Sequence, residues 1–198
     1  MSAVPARAAG ARIVVIDLEA TCDSPTQIDP METIEIGAVA LDGDTLVELS
    51  HFQAHVRPVV HPRLTSFCTA LTGIEQATVD AAPGFAQAAA GFSAWLASLG
   101  QTAWWGAWGG WDREQMLREA ERHGAALPLL ALPYANLKDE FSRRHGGKRI
   151  VLRKAIKMAG LTFAGRHHCG LDDARMTAAL LPYLLAQPAV TPAVGAPR

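Results

Sequence analysis

The chain has little cysteine: Cys22, Cys68 and Cys169, an odd number with no Cys-x-x-Cys pair. That excludes a disulfide-stapled scaffold and a cysteine-rich structural zinc site, and points to a reducing, cytoplasmic setting. No apolar run approaches the roughly 20 residues of a membrane helix, so no membrane contact is expected. The N-terminal "MSAVPARAAGAR" lacks the apolar core of about 7–15 residues found in a secretory signal, and reads as a flexible, uncleaved leader. There is no basic excess either, with 18 Lys and Arg against 19 Asp and Glu and a net charge of -1. A surface that coats long duplex nucleic acid is therefore not expected. If nucleic acid is the partner, contact should be local, at one end of a strand, with metal ions supplying part of the positive charge.

What is present is a 198-residue chain that is 49% hydrophobic and 19% charged, enough for one domain with a real core. We expect a leader over 1–11, a domain over 12–186, and a tail over 187–198 whose prolines and small residues resist a core. Arg12 to Leu18 reads as a central strand, apolar on both faces. Thr33 to Leu41 and Thr45 to Val56 read as two more strands joined by "DGD", an antiparallel hairpin signal. Helices are expected over about Pro83–Leu99, Trp111–His123, Leu137–Arg144, Val151–Ala159 and Asp172–Leu185, with short strands at Thr102–Trp108 and near Tyr134–Asn136. Three early strands followed by mixed helices and strands give an α/β layered domain with a partly parallel sheet.

The first strand ends oddly. "RIVVIDLEAT" runs from four apolar residues into Asp17, Leu18 and Glu19. Strand residues two apart share a face, so the two carboxylates project side by side. Burying them costs several kcal/mol per ion unless a cation compensates, and a hard divalent cation binds oxygen ligands of this kind. Asp-x-Glu triplets are common, so partners are needed. Asp112, at a glycine-flanked step into a helix, is one, although helix capping accounts for it equally well. Asp173 is another, five residues after His168. On one continuous helix that spacing turns about 500° and separates the side chains. With Gly170 between them, His168 can lie on a loop and Asp173 in the first helical turn. One of Asp172 and Asp173 is expected only to complement the helix dipole.

Asp17-x-Glu19, Asp112 after a Gly-x-Trp lead-in, and His168 followed by Asp173 together resemble the three motifs of the DEDDh 3′-to-5′ exonucleases, which include ribonuclease T and the proofreading subunit of bacterial replicative polymerase. "ETIEIGAV" (Glu32–Val39), "FCTALTGI" (Phe67–Ile74) and "HHCGLDDAR" (His167–Arg175) resemble the branch of RNA exonucleases that trim histone message ends and small RNAs, with its bacterial homologues. Gly110 and Met176 stand where that branch often has an acidic residue and Asn; neither belongs to the five motif positions. The resemblance implies a ribonuclease H-like fold, a mixed central sheet with an antiparallel three-strand meander flanked by helices. It implies two Mg²⁺ or Mn²⁺ ions held by Asp17, Glu19, Asp112 and Asp173, with His168 taking the proton of the attacking water. The substrate implied is a single-stranded 3′ end, RNA favoured over DNA, and the product a nucleoside 5′-monophosphate.

The same resemblance places the terminal nucleotide against Leu71, Thr72, Gly73 and Ile74, read as a loop, with Trp111 and His168 beside it and Ala20 and Thr21 at the sugar. Core packing is an equal reading for Leu71 and Ile74. His167 is expected to be an exposed loop residue, Cys169 no nucleophile, Trp95, Trp104, Trp105 and Trp108 core or sheet residues, and "RRHGGKR" (Arg143–Arg149) a solvated basic loop rather than a phosphate guide. A binding module that has lost catalysis and a free-standing DNA proofreader remain as alternatives.

Overall fold

Alternation along the first strand decides which helices cover which side of the sheet. A computed structural model describes residues 5, 9–146 and 149–185. Most of the expected leader, all of the tail 187–198, and residues 147–148 of the basic loop lie outside them. Strand β1 (Arg12–Ala20) pairs antiparallel with β2 (Thr33–Asp42), which pairs antiparallel with β3 (Glu48–His55). On its other side β1 runs parallel to β4 (Thr102–Ala107), and β4 to β5 (Tyr134–Asn136). The order is β3-β2-β1-β4-β5, so the meander and the mixed sheet are as expected.

Helices α1 (Ser66–Thr72), α2 (Gln76–Ala81) and α3 (Phe85–Ser98) separate β3 from β4. Helix α4 (Trp111–His123) and a 3₁₀ turn (Pro128–Ala131) separate β4 from β5, and α5 (Leu137–Arg144), α6 (Leu152–Met158), α7 (Gly170–Ala178) and α8 (Leu181–Leu185) follow. Val14, Ile16 and Leu18 face a core with Phe85, Phe92 and Met116 of α3 and α4. Ile13 and Val15 face the opposite core, with Phe141, Ile156, Met176 and Leu184 of α5 to α8. The result is a sheet between two helical layers.

Three local departures have physical causes. The third strand starts at Glu48 rather than Thr45, because Asp42 Oδ1 accepts the Thr45 N–H at 2.9 Å and hydroxyl at 3.0 Å, and Leu46 takes φ +61°. The hairpin turn therefore extends to Val47. The last helix divides into α7 and α8 because Pro182 lacks an N–H and its ring opposes the carbonyl four residues back. Residues 66–72 and 76–81 are helical. Thr65 caps α1 by accepting the Cys68 N–H at 3.0 Å, and Gly73 ends it at φ +66°.

Among the described residues no helix is long and apolar enough to cross a membrane.

Candidate active site

The odd residues of β1 that begin as Ile13 and Val15 continue as Asp17 and Glu19, at the C-terminal end of the strand. The carboxylates therefore share the face that Ile13 and Val15 turn to the core with α5 to α8. Two helix starts converge on them. The first turn of α4 brings Asp112, 5% exposed, whose Oδ1 accepts the Leu18 N–H at 3.0 Å. Asp112 is thereby fixed to the backbone between the two strand acids. The first turn of α7 brings Asp173, 4% exposed. Carboxylate oxygens of Asp17, Glu19 and Asp173 all lie within 4.8 Å of one another.

Close approach of α7 to the sheet needs two glycines. A Cβ on Gly37 of β2 would overlap the Gly170 backbone, and one on Gly170 would lie 3.0 Å from the Asp17 carbonyl oxygen. Glu35 of β2, opposite Glu19 in the ladder, supplies what the helix start lacks. Cys169 makes no side-chain cap; Glu35 Oε2 instead accepts the Gly170 N–H at 3.0 Å, while its Oε1 accepts from Gln53 Nε2 at 2.7 Å. A buried carboxylate on a neighbouring strand thus holds the helix that carries Asp173.

Crowding marks the electrostatics. Asp17 is held well above the usual carboxylate range by burial, then by Asp112, Glu19, Asp173 and Glu35. Burial and Asp173, with Glu35 and Asp112, push Glu19 up to about 8 against a weaker pull from Arg166. Burial raises Asp112 to about 6, against the Leu18 hydrogen bond. His168 is lowered, by burial and then by His167. Burial raises the Cys169 thiol, so the nucleophile reading fails, since the thiolate is the reactive form.

The histidine loop is a correction. His167, expected to be an exposed bystander, is half-buried, and its Nδ1 lies 2.9 Å from Asp173 Oδ1. His168 donates its backbone N–H to Asp173 Oδ2 at 3.0 Å and takes φ +63°. The two rings stack at 4.1 Å. Asp172, as expected of one of the pair, stays out of the cluster; its Oδ2 accepts the Arg166 N–H at 2.8 Å.

A cavity of about 340 Å³ is lined by Asp17, Glu19, Asp112, Asp173, Trp111 and both histidines. Trp108, Lys138, Val151 and Leu152 complete much of its wall. Of these, Trp108 was expected in the core, and Lys138, Val151 and Leu152 carried no signal beyond their helical pattern. Ala20, Thr21 and Leu71–Ile74 are not in the wall. Thr21 is 1% exposed, with its Oγ1 accepting the Glu32 N–H at 2.9 Å. Ile74 packs in a small core with Ile34, Cys68 and Val79, which is its alternative reading. Leu71 and Thr72 end α1 rather than forming a loop, and Gly73 lies directly against the Arg166 guanidinium. Trp104 and Trp105 are buried in the sheet as expected, and Trp95 and Trp108 pack against the cores.

A sheet with this strand order and carboxylates from β1, α4 and α7 over one cavity defines a nuclease-type α/β domain. Residues 14–181 match the RNase T exonuclease family model, and the chain belongs to that family. It is 38% identical over 176 residues to ERI1 exoribonuclease 3 of Mus musculus, covering 85% of this chain and 52% of that protein. ERI1 exoribonuclease 2 of Danio rerio is 33% identical over 187 residues, covering 85% and 34%. The chain spans about half or less of these relatives' length. Among solved structures, the nuclease domain of 3′hExo, a DEDDh family member bound to rAMP, superposes with a TM-score of 0.81 at 30% identity, covering 90% of this chain and 94% of that one. A structure of 3′-end specific recognition of a histone mRNA stem-loop by 3′-exonuclease gives 0.80 at 28%, covering 92% and 66%.

Proposed function

We propose that the protein is a metal-dependent 3′-to-5′ exoribonuclease acting on single-stranded 3′ ends and releasing nucleoside 5′-monophosphates. The observation that carries this is the convergence of Asp17, Glu19, Asp112 and Asp173 with His168 on one cavity. The donor set fits hard divalent cations such as Mg²⁺ or Mn²⁺: every group is a carboxylate, and among the described residues none of the four makes an ion pair with Lys or Arg. Two such ions, held by these four acids, would supply charge neutralisation and water activation at the phosphodiester.

The chain's own groups do the rest. Asp17, central to the cluster, would help to hold both cations. Glu19 and Asp173 would hold the cation that activates the attacking water, and Asp112, locked to Leu18, would hold the one that stabilises the leaving 3′ oxygen. His168 has its affinity for protons lowered, which keeps its imidazole neutral at pH 7 and able to accept the proton of the attacking water. His167 holds Asp173 from the flank. Trp111 offers a face to the terminal base, a contact worth about 1–3 kcal/mol. That these relatives are named exoribonucleases supports RNA rather than DNA as the substrate, and three free cysteines suit a reducing cytoplasm.

Incubation of 5′-labelled RNA and DNA oligomers with the protein and either metal should give a metal-dependent ladder, faster on RNA. Asp17→Ala should abolish it in a protein of unchanged circular dichroism. Absence of shortening on every oligomer from folded protein overturns the enzyme reading, and faster DNA turnover overturns the choice of RNA.

A further inference from the structure

The sequence's most conspicuous basic run is partly spent on one acid. Arg143 and Arg144 pair with Glu140 at 2.7 and 2.6 Å. Helix α6 is the opposite case. It holds Arg153, Lys154 and Lys157 and no acidic residue, and among the described residues none of these three makes a side-chain hydrogen bond or ion pair. All three are exposed while Leu152, Ala155 and Ile156 are buried, so the helix turns its apolar side inward and its cations outward. Cations left unpaired on a chain of net charge -1 form a local field with no internal use.

The helix also begins at the cavity. Val151, its N-cap, and Leu152 line the wall together with Lys138 of α5. Val151 and Met158, 59% and 44% exposed, edge the cationic face on one side. With a helical rise of 1.5 Å, the seven residues span about 10 Å, room for about three stacked nucleotides at roughly 3.4 Å each.

We infer that the outer face of α6 is the binding track for the RNA nucleotides immediately 5′ of the one in the cavity, with Arg153, Lys154 and Lys157 pairing their phosphates. This rests on the reading of the cavity as the exonuclease site. The cavity holds one anionic end among carboxylates, so affinity for a longer strand has to come from outside it. The track supplies that affinity without base readout, because its charges meet phosphates and its edge is apolar.

The test compares wild type with Arg153→Gln/Lys154→Gln/Lys157→Gln on an RNA dinucleotide and an RNA octamer. The octamer KM should rise about tenfold with kcat held within twofold, while dinucleotide kcat/KM stays within twofold. Octamer binding, followed by fluorescence anisotropy in EDTA so that no turnover intervenes, should lose about 2 from its log Kd against log salt slope, at about 0.7 per phosphate contact. Equal losses on both lengths, or an unchanged octamer KM and salt slope, overturn the track, whether or not self-association changes. If the triple variant fails to fold, Lys154→Gln and Lys157→Gln singly decide on the same readouts, each expected to take about 0.7 from the slope. Wild type that shortens no RNA would instead overturn the enzyme reading, and the anisotropy measurement would still decide the track.

Discussion

Asp173 is the most heavily used side chain of the site: its oxygens lie 2.9 and 3.0 Å from His167 Nδ1, Oδ2 also accepts the His168 N–H at 3.0 Å, and one of its oxygens lies within 4.8 Å of oxygens of Asp17 and Glu19. Two adjacent histidines therefore do different work on one carboxylate. His168 reaches it through the backbone, which leaves the imidazole available for a proton, whereas the His167 ring is engaged. His168→Ala should lower kcat by 10²–10⁴, the usual range for a lost general base, on the order-of-magnitude scale. His167→Ala should keep kcat within about tenfold and raise the metal concentration for half activity, since partners of metal ligands typically contribute about 10–100-fold in affinity. Single-turnover rates across a metal titration separate the two. A larger kcat loss for His167→Ala than for His168→Ala would reverse the assignment.

At the scale of elements, the site depends on how α7 is set against β1 and β2. Glu35 fixes that setting by accepting the Gly170 N–H, and it is not among the residues that line the cavity. Gln keeps an acceptor oxygen at the same reach and drops the charge; Asp keeps the charge and falls short by one methylene. Glu35→Gln should therefore hold Mn²⁺ affinity, measured by calorimetry without substrate, within about threefold, while Glu35→Asp weakens it by about tenfold or more. The reverse order would mean that charge, not the helix anchor, is what Glu35 contributes. None of this was legible in the sequence, where "IEIG" reads as strand and Glu35 as another acid. The acids and His168 were legible because strand periodicity and fixed spacing place them, but a contact between Glu35 and Gly170, 135 residues apart, leaves no periodic trace. Helices α1 and α2 left only the Thr65 cap and Gly73 as signals, too little beside their β-branched content. The break before α8 was legible in Pro182 and was outweighed by the apolar pattern.

At the scale of the whole molecule, clustered carboxylates make stability depend on pH and metal together. Glu19 has a folded pKa of about 8 against an ordinary 4.5, so the stability that goes with its neutral form is complete below about pH 4.5 and is lost as pH rises through about 8. Asp112, raised to about 6, loses its share lower down. His168 is lowered and so contributes in the opposite direction, through its ordinary value of 6.5. Glu48 and Glu140, lowered by Arg175 and Arg143, contribute in full above about 4.5 and add no pH dependence there. Between pH 7 and 9, then, it is Glu19 that sheds its proton at a cost to the fold, and the raised Asp17 works in the same direction. Metal-free protein should lose about 1 kcal/mol over that window from Glu19 alone, a few degrees in Tm on the scale of about 2–4 °C per kcal/mol. Divalent cations bind carboxylates in their ionised form, so the stabilising increment from added Mg²⁺ should be larger at pH 9 than at pH 7. Glu19→Gln cannot ionise and should flatten the metal-free slope while shrinking the Mg²⁺ increment at both pH values. A metal-free Tm that holds level or rises from pH 7 to 9, or an equal Mg²⁺ increment at both, would mean that the cluster is already neutralised from within the protein, and the case for cations at these four acids would fall with it.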